Sequence, residues 1–97
     1  MIAALVEVEL HVPGVASLKG KRAVVKSLLA ALRQQLNVSA VEVDHQDLWQ
    51  RTTLGVAIAA GSETGARAVA QQVEKIVYRE PRVEPIAFRL EIAATER

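Results

Sequence analysis

Apolar and polar residues alternate along the first segment of the chain. From Ala4 to Val12 every even position is apolar, whereas Glu7, Glu9 and His11 occupy odd positions. A period of two is typical of a β-strand that buries one face and exposes the other. The pattern therefore predicts a first, half-buried strand.

The period changes after Pro13-Gly14, which interrupts the alternation. Apolar residues then recur three or four positions apart, as in an amphipathic helix. They are Leu18, Val25, Leu28, Leu29, Leu32 and Leu36. Ser17 is a residue type that caps helix N-termini. A helix from about Leu18 to Gln35 is predicted.

Two strands, a second helix and a last strand follow in the pattern. A hairpin is predicted from strands over 37–44 and 49–60, with a turn at His45-Gln46-Asp47. After Gly61-Ser62, apolar residues at helical spacing predict a helix that ends before Pro81. A fourth strand is predicted over 86–94.

The element order strand, helix, strand, strand, helix, strand predicts one α+β domain over residues 1–97. Its commonest compact arrangement is the ferredoxin-like βαββαβ sandwich, in which two helices cover one face of a four-stranded antiparallel sheet. Right-handed crossovers place strands one and three in the centre. Pro85 and Asn37 then fall on edge strands, where proline and polar residues are tolerated.

This topology brings three segments to one end of the sheet: the start of helix one, the hairpin turn and the end of helix two. Helix one contributes Lys19, Lys21 and Arg22. These three are predicted to lie near Asp44, His45, Asp47, Trp49, Arg51, Arg79 and Arg82.

Composition restricts the class of protein. The sequence has no cysteine, so disulfide and thiolate chemistry are excluded. The formal net charge is +1. No apolar run approaches the roughly 20 residues of a membrane-spanning helix. We expect a cytoplasmic protein that does not enter the membrane.

Charge is unevenly distributed despite the small total. No Asp or Glu occurs between Leu10 and Val41. Four cations of helix one fall within about 60° of one another on a helical wheel. They form what we call the basic stripe: Lys19, Arg22, Lys26 and Arg33. The stripe is either a track for phosphates or an ordinary solvated helix face, and no acid at i+4 is available to pair with its cations.

The start of helix one raises a second question, because cations at a helix N-terminus cost roughly 0.3 to 1 kcal/mol each. Anion binding by the helix N–H groups, Ser17 and Lys19 is one explanation, and neutralisation by nearby acids is the other. Lys21 instead faces the apolar side, where it either extends over the end of the sheet or pairs with Asp44 or Asp47. Of these two, the salt bridge is predicted. The segment from Gly14 to Lys21 does not match a nucleotide-binding P-loop, since Arg22 stands where Ser or Thr is required.

Five short segments of the chain form a distinctive combination. They are Ser17-Leu18-Lys19, Lys21-Arg22, Asn37-Val38-Ser39, Glu42-Val43-Asp44 and Asp47-Leu48-Trp49-Gln50. Together they resemble the YlxP-like family of small bacterial domains of unknown function. The resemblance spans the chain and implies a ferredoxin-like domain, and genes of this family often lie beside genes for translation and ribosome maturation. Where relatives commonly carry an acid between the two lysines, this chain has Gly20.

Enzymatic and metal chemistry have little support. Asp44, His45 and Asp47 are potential metal ligands or bases, but their spacing matches no metal site and they are also normal turn residues. No nucleophile can be assigned beside His45. We therefore expect no metal, no cofactor and no catalytic residues.

The predicted outer face of the sheet lacks the aromatic residues with which single-stranded RNA is usually bound on such sheets. Its small residues Gly55, Ala57 and Ala59 favour a homodimer through this face instead. Trp49 is expected to cover the end of the core, with base stacking as the alternative.

Two functions remain open from the sequence. The first is a non-catalytic nucleic-acid or ribosome-associated module that binds through Ser17, Lys21, Trp49 and the basic stripe. The alternative is a dimeric scaffold or regulatory module that binds a protein or a small anion at the basic end.

Overall fold

The computed structural model describes residues 1–45 and 47–96. Gln46, which belongs to the predicted hairpin turn, and Arg97, the last residue of the predicted domain, lie outside the described residues.

The elements follow the predicted order. They are β1 (Ile2–His11), α1 (Leu18–Gln35), β2 (Ser39–Asp44), β3 (Arg51–Ala60), α2 (Glu63–Arg79) and β4 (Glu84–Ala94). The strands form one sheet in the order β2-β3-β1-β4, and every neighbouring pair is antiparallel. This is the ferredoxin-like arrangement, with β1 and β3 central as predicted.

The core lies between the sheet and the two helices. The even positions of β1, from Ala4 to Leu10, are at most 1% exposed and face the apolar sides of α1 and α2. Both helices are capped at their N-termini by serine: Ser17 accepts a hydrogen bond from the Gly20 amide and Ser62 from the Gly65 amide. The hydroxyls satisfy backbone donors that have no partner within the helix.

The hairpin differs from the sequence prediction at its ends. β2 begins at Ser39 rather than Asn37, and β3 begins at Arg51 rather than Trp49. The register of β2 against β3 shifts between Glu42 and Asp44, which marks a β-bulge. The bulge interrupts the alternation that a regular strand would follow.

No helix within residues 1–45 and 47–96 is long and apolar enough to cross a membrane.

Candidate nucleic-acid interface

The first turn of α1 carries no acid and holds Lys19, Lys21 and Arg22 at or beside its start. The Ser17 hydroxyl accepts from the Gly20 amide at 3.1 Å, so its part in the structure is capping. Lys21 points away from Lys19 and Arg22, because successive helical residues are rotated by about 100°.

Lys21 points inward and is fully buried. Its Nζ lies 2.7 Å from Glu42 Oε2 and donates to the His45 carbonyl oxygen at 2.7 Å. The predicted salt bridge exists, but the prediction of Asp44 or Asp47 as its partner is wrong. The β-bulge explains the error: Glu42 is the last β2 residue before the shift, whereas Asp44 pairs with Thr53 beyond it and is exposed.

Glu42 and Thr52 are the residues that the sequence prediction missed at this end of the sheet. The buried Thr52 hydroxyl donates to Glu42 Oε2 at 2.5 Å, so the carboxylate receives both a cation and a neutral donor. The alternation of β2 could have identified Glu42, because Ala40 two positions earlier is buried.

His45 ends this polar cluster in a left-handed backbone conformation, with φ of 64°. Its Nδ1 lies 2.9 Å from Thr53 Oγ1, and its amide donates to Asp44 Oδ1 at 2.7 Å. Left-handed backbone is uncommon for residues other than glycine, and Asn, Asp and His are enriched in it. These bonds and the Lys21 ammonium hold the turn in that conformation.

The basic stripe faces solvent. Its members Lys19, Arg22 and Lys26 are exposed, and none of them makes an ion pair or side-chain hydrogen bond with a residue that the structure describes. Arg33 differs, because its Nε donates to the Ala40 carbonyl oxygen at 3.1 Å and its Nη2 donates to the same atom. Three cations of the stripe are therefore available to a ligand, and the fourth ties α1 to β2.

The contacts of α1 show which way the stripe faces. The Arg33 bond places that flank of the helix beside β2. On the opposite flank, Arg82 Nη2 donates to Ser27 Oγ at 3.1 Å and Arg79 Nη2 to Gln35 Oε1 at 3.4 Å. The stripe thus lies on the β2 side of α1, away from α2.

The same contacts correct the expectation that Arg79 and Arg82 lie near Lys19, Lys21 and Arg22. The two helices are staggered, so the end of α2 lies beside the middle and end of α1. Arg82 is held there by Glu80: its guanidinium hydrogen-bonds the carboxylate and lowers the pKa of Glu80 from 4.5 to about 2.

Trp49 lies on the segment between β2 and β3 and is 48% exposed. It does not belong to the buried core or to the partly buried residues packed against it. About half of its surface is open to solvent, and the expectation that it covers the end of the core stays a prediction. Leu48 beside it is exposed to the same extent.

The outer face of the sheet combines charged and apolar parts. Arg51 is ion-paired with Glu9, and Arg89 reaches Glu7 at 3.6 Å and Glu9 at 3.8 Å. Next to these pairs lies a groove of about 480 Å³. Its apolar lining includes Leu5, Val41, Val43, Gly55 and Ala57.

Gly55 lets the floor of this groove form. A Cβ atom added to Gly55 would lie 2.6 Å from Val43 Cγ1, which is too close for any contact. The Val43 side chain, on the bulged end of β2, therefore occupies the space that a Cβ atom of residue 55 would need.

Within the part of the chain that the structure describes, no group of three His, Asp or Glu side chains is placed to hold a metal ion. At the turn, the described side-chain bonds join Asp44 to the His45 amide and the His45 ring to Thr53.

Comparisons with known proteins identify relatives. A family model described as "Protein of unknown function (DUF503)" matches residues 3–90. The uncharacterized protein YlxP of Bacillus subtilis (strain 168) is 37% identical over 75 residues, which are 77% of this chain and 82% of YlxP. Among solved structures, the de novo designed protein LFR1 1 with ferredoxin fold superimposes with a TM-score of 0.53 at 14% identity, covering 98% of this chain and 88% of the designed one. That similarity shows the fold alone.

Proposed function

The chain belongs to the DUF503 family, as its resemblance to YlxP-like domains predicted, and we propose that it is a non-catalytic RNA-binding module. In this proposal the phosphates of an RNA, including ribosomal RNA, lie along the basic stripe of α1. The proposed compartment is the cytoplasm, where a bacterial protein meets RNA.

The observation that carries the proposal is the exposure of Lys19, Arg22 and Lys26 without partners among the residues that the structure describes. Surface cations of folded proteins commonly lie near acids, but the sequence has no acid between Leu10 and Val41. Cations at the start of a helix also oppose the helix dipole. A bound phosphate would supply the missing negative charge and would interact favourably with the helix dipole. Each phosphate contact pairs with a cation and releases counterions, which adds to the affinity.

The proposal predicts a salt dependence that can be measured. Three phosphate contacts give a slope of log K against log salt of about −2 for a single strand. The variant Arg22→Glu/Lys26→Glu should remove two of the contacts and lower the affinity at least tenfold at low salt. Anisotropy of a labelled RNA, titrated at several salt concentrations, measures both quantities.

A matched control comes from α2, where Arg67 and Lys75 are exposed cations. The variant Arg67→Glu/Lys75→Glu changes the net charge by the same amount as the α1 variant. It should retain more of the affinity if the stripe is the site. Equal losses in the two variants, or binding that does not weaken with salt, would contradict the proposal.

A second candidate function is a dimeric scaffold that pairs through the outer face of the sheet. The groove beside Leu5, Val41 and Val43 favours it, because these side chains are 42–49% exposed and lie together. The small residues Gly55 and Ala57 permit close approach of a second copy. A monodisperse monomer in light scattering at millimolar concentration would exclude it, whereas a dimer abolished by Val41→Lys would support it.

A further inference from the structure

The segment that carries Trp49 is held firmly beside the start of α1. On one side, the Lys21 ammonium donates to the His45 carbonyl oxygen at 2.7 Å. On the other, the Val12 amide donates to the Gln50 carbonyl oxygen at 2.8 Å. Val12 lies in the connection that leads into α1, so both ends of the segment are fixed to the region where the basic stripe begins.

Between these two anchors lie Asp47, Leu48 and Trp49, which we call the turn tip. All three residues are exposed. Trp49 is 48% exposed as a residue, although tryptophan has the largest apolar surface that a side chain can bury. A large aromatic residue, about half open to solvent on an anchored segment, is a candidate for stacking.

Charge divides the surface into two parts. The basic stripe attracts phosphates, while the exposed carboxylates of Asp44 and Asp47 lie at or beside the turn tip and repel them. The stripe lies on the β2 side of α1, as the Arg33 bond to Ala40 shows, and β2 leads directly into the turn. Because the acids repel phosphates, the uncharged bases are the part of a polynucleotide on the stripe that the turn tip can accept.

From this juxtaposition we infer that Trp49 contacts a base, and that the RNA is single-stranded where it meets this side chain. An unpaired base stacks on the indole while the neighbouring phosphates pair with Lys19, Arg22 and Lys26. In a duplex the faces of the bases are already stacked on each other and cannot reach the ring. This inference rests on the proposed function and adds the substrate class to it.

The sequence has one tryptophan, which makes the inference directly testable. Fluorescence excited at 295 nm, where tyrosine hardly absorbs, reports on Trp49. The probes are a ten-nucleotide RNA without self-complementarity and the same RNA annealed to its complement. We expect the single strand to quench the fluorescence and the duplex to leave it nearly unchanged.

Affinity measured with labelled RNA separates stacking from general binding. Stacking on one aromatic ring corresponds to about a 5- to 150-fold change in affinity on truncation to alanine. Trp49→Ala should lose that factor for the single strand and little for the duplex, whereas Trp49→Phe should retain most of the affinity. Leu48→Ala is the matched control, since Leu48 is exposed to the same extent on the same segment. Circular dichroism verifies that each variant is folded.

The outcomes distinguish the two proposals. If Arg22→Glu/Lys26→Glu weakens binding but Trp49→Ala does not, or if the duplex binds as well as the single strand, the inference is overturned and the stripe remains. If Trp49→Ala weakens binding but the stripe variant does not, phosphate binding by the stripe is overturned. Absence of binding to both RNAs overturns both.

Discussion

Replacing Lys21 by methionine should be among the most destabilising single changes at this end of the sheet. Lys21 is fully buried, and its ammonium touches both Glu42 Oε2 and the His45 carbonyl oxygen. Methionine preserves most of the side-chain volume and removes the charge. The carboxylate of Glu42, whose side chain is only 17% exposed, would then lose its cation.

The expected loss follows from the burial of the two partners. Removing one partner of a buried ion pair costs about 3–5 kcal/mol, because the other charge is left unpaired in a poorly solvated place. Glu42 keeps the Thr52 hydroxyl and a small contact with water, which favours the lower end of that range. We expect about 3 kcal/mol, which is a large part of the 5–15 kcal/mol typical of a domain.

The assay is equilibrium unfolding in urea, followed by circular dichroism at neutral pH. Lys26→Met is the control: it removes an exposed lysine of the same helix and should change the free energy of unfolding by about 0.5 kcal/mol or less. The double variant Lys21→Met/Glu42→Leu removes both charges and should recover most of the loss, since an apolar pair can replace a buried ion pair at little cost.

Two results would refute the reasoning. One is a loss below about 1 kcal/mol in Lys21→Met, which would mean that the ammonium is not needed to compensate the carboxylate. The other concerns the double variant. If its loss of free energy of unfolding equals the sum of the losses in Lys21→Met and Glu42→Leu, the two charges are not coupled.

Three further changes test other features. Gly20→Ala should raise the free energy of unfolding by about 0.5–1 kcal/mol, because its Cβ would meet the N-cap hydroxyl at an ordinary 3.4 Å and alanine favours the helix; urea unfolding measures it, and a loss would contradict it. Glu80→Gln should cost about 1 kcal/mol at pH 7, since the bond to Arg82 is charge-assisted and partly solvated. Because the pKa of Glu80 is lowered from 4.5 to about 2 in the folded protein, the deficit should be complete above pH 4.5 and vanish as the pH falls toward 2; a deficit that does not depend on pH would exclude this cause. Gly55→Ala should destabilise by about 1–3 kcal/mol, as its Cβ would lie 2.6 Å from Val43 Cγ1, and Gly55→Ala/Val43→Ala should recover part of the loss.

The fold could be predicted because its signals are local. The alternation from Ala4 to Val12, the break at Pro13-Gly14 and the cap at Ser17 each act within a few residues, and α1 begins and ends where predicted. The inward direction of Lys21 also followed from the helical period. Strand order then followed from the short connections and the handedness of the crossovers.

The parts that could not be predicted depend on offsets between elements. A bulge in β2 decides that Glu42, and not Asp44, meets Lys21, and nothing in the local pattern marks it. The stagger of the helices, which takes Arg82 to Ser27, depends on how far each connection carries the chain along the sheet.

The position of β1 in the sheet has a consequence for the order of events during synthesis. β1 is made first, yet both of its neighbours come much later: Ile2 pairs with Ala60 on one side and with Ala94 on the other. Until β3 has emerged from the ribosome, this central strand, whose even positions are buried in the folded protein, has no partner, and its second edge stays open until β4 has been made. Pairings so distant in sequence make folding slow relative to helix formation. The nascent chain therefore exposes an apolar strand from the synthesis of β1 until that of β3, and exposed apolar strands of this kind are prone to aggregation.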